Sequence, residues 1–207
     1  VNDSIAQIYS QKYRIPITAV RNVPEYHKLE TDLKTREQFK LSNDDFILII
    51  QGSGLNIDRG VEEAVLAMKD CEGCILLIVG DGDVIPKAKE IVTRNKLDQK
   101  VKFISRRPYE ELMKITRIAD VGLLLDKNSS LNQELALPNK LFDYIHAGIP
   151  ILSSALPEIK KIIKKYDVGI FLSKTEPKII QETILTYKAN HKLRNQHKEN
   201  CKLAAEK

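Results

Sequence analysis

Apolar residues in this chain follow two spacings in turn. Largely apolar runs at 46–51, 75–79, 101–104, 121–125, 149–153 and 168–172 predict strands buried on both faces, because a strand wet on one side would alternate with polar positions. Between them the spacing lengthens to that of a helix. Over 61–68, Val61, Ala64, Val65 and Met68 share one face, and similar patterns predict helices over 84–96, 108–119 and 156–165. Another helix is punctuated at both ends, opened by Pro138 at its first position and closed by Gly148, with Leu141 and Ile145 on its core side. Largely apolar strands alternating with amphipathic helices predict an α/β fold: a Rossmann-like parallel sheet of about six strands, wound by right-handed crossovers, with helices on both faces.

The pattern weakens towards the ends. Residues 1–25, with a helix to about residue 13 and a strand at 17–21, read as the remnant of a preceding domain, followed by a polar linker over 26–42. The Rossmann-like domain then occupies 43–175, and two helices over 176–190 and 194–206 fill most of the remaining 176–207. The first residue is Val1 and no hydrophobic signal segment follows it, so the sequence reads as part of something longer. No apolar run approaches the ~20 residues a membrane-spanning helix needs.

Charge and cysteine content narrow the classes of partner. With 33 basic and 28 acidic residues in 207, a net charge of +5 and no tryptophan, the chain lacks the basic, aromatic-interleaved segment that binds nucleic acid by stacking. Lys188, Lys192, Arg194, Lys198, Lys202 and Lys207 make the last helices basic, but Glu199 and Glu206 interrupt them. A solvated helix is favoured there, with peripheral contact with a membrane as the alternative. Cys71, Cys74 and Cys201 have no framework spacing and suit a reducing cytoplasm. Cys71 and Cys74 follow a helix and enter a strand, the reverse of a redox motif, and they leave a zinc site two ligands short. They read as small residues in a turn, and no metal is expected.

Ligands of open parallel sheets bind at the carboxyl ends of the strands, so the loops there carry the candidate chemistry. After the first strand comes QGSGLNIDRG, in which Gly52, Ser53 and Gly54 allow close approach to a diphosphate, Arg59 can grip it, and Gly60 caps the next helix. Glu62 and Glu63 crowd that helix start. After the second strand, Asp81 can accept from hydroxyls, while Asp83 reads as a cap for the following helix. Ser105, Arg106 and Arg107 follow the third strand. The stretch LPNKLFDYIHAGIP (137–150) places Asn139 and Lys140 in a helix first turn, where unsatisfied N–H groups and a lysine together suit a phosphate. Asp143, one turn deeper, can accept from a sugar or ribose hydroxyl. The plainer reading makes Lys140 and Asp143 a surface ion pair.

These loops together resemble the C-terminal, donor-binding domain of GT-B, group 1 glycosyltransferases, the retaining nucleotide-sugar-dependent enzymes. The resemblance rests on the glycine-rich loop ending in Arg59-Gly60, the turn Gly80-Asp81-Gly82, Pro108-x-Glu110-Glu111-Leu112, and the element Pro138 to Tyr144 followed by Ala147-Gly148-x-Pro150. It implies that Arg59 and Lys140 hold a donor diphosphate, with Asp143 at the ribose and the stretch around Ile104 and Ser105 at the base. It also implies a saccharide or lipid-linked acceptor, no cofactor, and a general base on an N-terminal domain missing here, so that residues 1–207 would bind the nucleotide without turning over. Bacterial polysaccharide or lipopolysaccharide synthesis, in the cytoplasm or peripherally at the inner face of the membrane, is the setting it suggests. Many members carry two glutamates separated by seven residues. The second corresponds to Asp143, while the first falls on Leu135, beside Glu134, leaving Glu134 and Leu137 as the sugar-contact candidates.

Two other readings stay open at this level. A nicotinamide-dependent oxidoreductase would use Gly52 and Gly54 as its fingerprint and Asp81 for ribose, but Ile57 stands where the third glycine belongs. A nucleotide-sugar epimerase domain or a non-catalytic Rossmann-like binding module would share much of the same pattern. The donor's base and sugar, the acceptor, the stereochemical outcome and the oligomeric state are not encoded in any residue singled out above.

Overall fold

The computed structural model describes residues 2–24, 26 and 33–207. Two helices come first, α1 (Asp3–Tyr13) and α2 (Leu33–Gln38), and the sheet then opens with β1 (Phe46–Gly52). It continues through α3 (Val61–Ala67), β2 (Cys74–Gly80), α4 (Ile85–Arg94), β3 (Val101–Ile104), α5 (Tyr109–Arg117) and β4 (Val121–Leu124). After the short α6 (Leu131–Glu134) come α7 (Asn139–Ala147), β5 (Ile151–Ser153), α8 (Pro157–Tyr166), β6 (Gly169–Phe171), α9 (Pro177–Ala189) and α10 (His191–Ala205).

The six strands are all parallel, in the order β3-β2-β1-β4-β5-β6. The first three are laid down outward from β1, and the chain then crosses back to place β4 on the other side of β1. That reversal leaves a crevice at the carboxyl ends of β1 and β4. Strand β1 is buried on both sides because its alternate residues serve different helix layers. Leu48 and Ile50 join α3, α4 and α9 in one core, and Ile47 and Ile49 join α5, α7, α8 and α10 in the other.

Helix α7 lies unusually close to the sheet. Its Tyr144 ring is fully buried against Gly122 of β4, where a Cβ would fall 2.4 Å from the ring, and the phenol lies 3.3 Å from the carbonyls of Ile49 and Leu123. Helix α10 packs over the outer side of α7. The cysteines occupy buried turn and core positions: Cys71 closes a 3-10 turn, Cys74 begins β2, and all three are free.

Several expectations are corrected. Residues 17–21 run as coil rather than strand. Val20 on this stretch is 77% exposed, and Ile17 and Ala19 are only half-buried. Helix α2 lies inside the span read as linker; Arg36 ends its polar stretch in contacts to the carbonyls of Ser42 (2.9 Å) and Asp45 (3.0 Å). The middle of that linker, 27–32, falls outside the described residues. Helix α10 begins at His191, three residues earlier than the pattern suggested, because the Asn190 side chain accepts from the Leu193 N–H.

His197 of α10 is 2% exposed, with Nδ1 2.8 Å from the Tyr187 hydroxyl and Nε2 3.5 Å from Asp167 Oδ1. Burial pushes its pKa below the usual histidine value, and Asp167 opposes this only in part. The unfolded chain therefore takes up this proton at higher pH than the folded one. The stability His197 contributes is complete above about pH 6.5 and is lost as pH falls from there towards its lower folded value. Denaturation midpoints are expected to drop between about pH 7.5 and about pH 5.5, at up to about 1.4 kcal/mol per pH unit from this group. His197→Gln should flatten that slope, and an unchanged slope would refute the assignment.

Candidate functional site

A cleft of about 600 Å³ opens at the reversal point, lined by the loop after β1, the end of β2, the β3–α5 connection and the start of α7. It gathers Gly52, Ser53, Gly54, Arg59, Arg106, Asn139, Lys140 and Asp143, the candidates on two separate loops and a helix start. Arg107, Gln51 and Tyr109, which sequence reasoning had not named as site residues, line the cleft as well, as do Asn22 and Pro24 of the N-terminal segment.

The α7 end of the cleft is an exposed helix N-terminus. Pro138 is the N-cap rather than the first helical residue, with extended backbone (ψ 143°) and no side-chain cap bond. Asn139 and Lys140 therefore begin the helix with first-turn N–H groups that no side chain caps. Gly60 does not line the cleft; it is buried behind Arg59 with φ +73°, and any Cβ there would meet Leu125 Cβ at 2.3 Å. This close approach fastens the first loop to the exit of β4, and the bond from the Lys127 N–H to the Asp58 carbonyl (2.8 Å) holds the same junction. The acidic start of α3 is turned aside, since Glu63 pairs with Lys127.

Lys140 and Asp143 share a helix but do not pair. Lys140 Nζ lies 3.0 Å from Asp126 Oδ2, and Arg59 Nη1 pairs with Asp126 Oδ1. Burial acts against the Asp126 carboxylate, yet Lys140 and Arg59 together hold its pKa below the ordinary value. For Lys140 burial dominates and lowers its pKa, with Asp126 opposing. Asp143 is nearly buried and has both oxygens engaged: Oδ2 accepts from Gln51 Nε2 (3.1 Å) and Oδ1 from the Tyr109 hydroxyl (3.1 Å). Gln51 is itself oriented by Thr116, whose hydroxyl donates to its Oε1 at 2.6 Å. Burial raises the Asp143 pKa, and these two hydrogen bonds offset only part of the shift.

The remaining candidates sit elsewhere. Asp81 supports the first loop, its carbonyl accepting from the Leu55 N–H at 2.9 Å. Asp83 does not cap α4; its Oδ1 accepts from the Ile57 N–H (3.0 Å), a correction that makes this turn a buttress for the glycine-rich loop. Ile104 is buried at the end of β3 and Ser105 is exposed beyond it, neither on the cleft wall. Leu137 lines a smaller neighbouring cavity with Asn2, Ile5, Arg21, Asn22 and Phe142, and Glu134 lies half-buried in α6. Asp126 and Gln51 went unnamed although each is a polar residue at the carboxyl end of an apolar run, the position where such sheets place ligand contacts.

A parallel sheet with helices on both sides, carrying two buried-stem cations and an uncapped helix at its reversal point, is the C-terminal, Rossmann-like domain of the GT-B fold. Residues 33–204 match the family of glycosyl transferases group 1, and the chain belongs to that family. It is 26% identical over 165 residues to chitobiosyldiphosphodolichol beta-mannosyltransferase of Candida albicans, covering 75% of this chain and 33% of that protein. It is 27% identical over 103 residues to amylovoran biosynthesis glycosyltransferase AmsK of Erwinia amylovora, covering 49% of this chain and 25% of that one. The chain thus spans a third or less of these relatives. The crystal structure of Anabaena Alr3699/HepE in complex with UDP matches with a TM-score of 0.80 at 16% identity, over 99% of this chain and 57% of that chain, which is a likeness of fold.

Proposed function

We propose that this chain is the donor-binding half of a nucleotide-sugar-dependent glycosyltransferase, and that its cleft receives the nucleoside diphosphate. The observation that carries this reading is the convergence of Arg59, from the loop after β1, and Lys140, from the first turn of α7, on one point beside the uncapped N-terminus of that helix. Departure of a nucleoside diphosphate concentrates charge on the leaving oxygens. Two cations and oriented N–H groups in a half-closed site stabilise that charge before the reaction begins, without requiring a divalent ion. Arg106 and Arg107 add positive potential at the rim. The ribose falls to the Asp143–Tyr109 end of the cleft.

The acceptor, saccharide or lipid-linked, and the base that activates it belong in this reading to the other half of the enzyme. Among the described residues no helix is long and apolar enough to cross a membrane. Basic groups near the C-terminus are already engaged in part, Lys198 with Asp120 and Lys202 with Glu199, which weighs against a dedicated lipid-binding face. The likeness to a glycosyltransferase of amylovoran biosynthesis supports a role in bacterial polysaccharide or lipopolysaccharide synthesis, for which the proposed setting is the cytoplasm.

Calorimetric titration with UDP, GDP, ADP and NAD tests the reading. Saturable binding of one nucleoside diphosphate with none of NAD is the expected result. Binding of NAD alone would overturn it in favour of the oxidoreductase, and binding of none would leave an interaction module.

A further inference from the structure

Asp126 is the residue the proposed reaction leaves without a task. Its carboxylate is 2% exposed and lies behind the cleft wall, whereas Arg59 and Lys140, its two partners, line the cleft. Each oxygen faces a different cation. The Lys140 ammonium approaches Oδ2 at 3.0 Å, an ion pair in which charge is the main attraction. The backbone of Asp126 is pinned independently, by the Ser154 hydroxyl donating to its carbonyl at 2.7 Å and by the neighbouring Lys127–Asp58 bond. The carboxylate can therefore stay in place while the two flexible cations turn away from it.

Arg59 and Lys140 left in a half-buried pocket without an anion would repel each other and lose hydration. A fixed carboxylate between them removes that cost in the empty site and keeps both side chains at the mouth. It also cancels half of the positive charge that an incoming anion would meet. On the reading that the cleft takes a diphosphate, which this inference deepens, we propose that Asp126 is a built-in counter-ion. It holds Arg59 and Lys140 while the cleft is empty and yields them to the diphosphate, so that ligand and carboxylate compete for the same two cations. It is a positioning residue that limits affinity and so favours release of the nucleoside diphosphate product.

Asp126→Asn separates this role from a merely structural one, with inorganic pyrophosphate as the probe. The variant is expected to melt at lower temperature when empty, yet to bind pyrophosphate roughly tenfold more tightly, the order of effect expected from removing a like charge a few ångströms from the anion. Its melting temperature should also rise more on adding pyrophosphate than that of the wild type. Affinity that is unchanged or weaker, with both melts lowered alike, would overturn the proposal. If neither protein binds pyrophosphate, the diphosphate reading itself fails and the proposal goes with it.

Should loss of the carboxylate beside a buried ammonium prevent folding, a second pair of variants makes the same comparison without that ammonium. Asp126→Asn/Lys140→Gln should bind pyrophosphate roughly tenfold more tightly than Lys140→Gln, because Arg59 is freed from the carboxylate only in the double variant. Equal or weaker binding by the double variant would overturn the proposal.

Discussion

Lys140→Ala is expected to weaken binding of the nucleoside diphosphate by about 1.5–3 kcal/mol, roughly 10- to 150-fold, the magnitude of a hydrogen bond to a charged group. Lys140 stands in the first turn of α7 with its side chain 11% exposed, and its ammonium is directed to the cleft mouth by Asp126. A point charge so placed, beside first-turn N–H groups that no side chain caps, acts on an anion through a medium much less screening than water. The fold should tolerate the change, because Asp126 keeps its contact with Arg59. Calorimetry on the wild type and the variant, with melting curves to show that both are folded, measures the effect. Had Lys140 formed the surface ion pair with Asp143 that its spacing permits, the same substitution would leave nucleotide affinity nearly unchanged. Unchanged affinity would therefore remove Lys140 from the site.

Gly122→Ala should have the largest effect on stability, a loss of about 2–3 kcal/mol from overpacking. The added methyl would lie 2.4 Å from Tyr144 Cδ2, and the ring has no room to retreat, since it is fully buried with its hydroxyl 3.3 Å from two strand carbonyls. Relief can come only from lifting α7 off the sheet, which would carry Lys140 and Asp143 with it. Nucleotide affinity should fall together with the denaturation midpoint. In a Tyr144→Leu background the same Gly122→Ala change should cost less than about 1 kcal/mol, because the clashing ring edge is gone. An equal cost in both backgrounds would show that the ring is not what excludes the methyl.

The sheet was legible because its signal is local and repeated. A strand covered on both faces must be apolar throughout, and a helix covering it must carry an apolar stripe, so the runs at 46–51 and 75–79 and the stripe of Val61, Ala64, Val65 and Met68 identify themselves. The ends of helices are written less firmly. Pro138 could stand at N1 or at the N-cap, and Asp83 could cap α4 or brace another loop, since the same side-chain chemistry serves both. The coil at 17–21 shows the converse failure. Its residues have strand propensity, but propensity acts only where a neighbouring layer buries the apolar side, and Val20 stays 77% exposed.

By itself, then, the sequence determined the α/β class, the loops that hold the ligand chemistry, and the glycine-rich loop and helix start that form part of the cleft wall, because each depends on neighbours within a few positions. Tertiary structure alone decided the partners. That Arg59 and Lys140 meet on Asp126, that Gln51 and Tyr109 occupy both oxygens of Asp143, and that Gly122 makes room for Tyr144 depend on β4 crossing back beside β1. Charge and contact act through space and fall off within a few ångströms, while the chain separates these residues by tens of positions. Only the order of strands in the sheet brings them within reach.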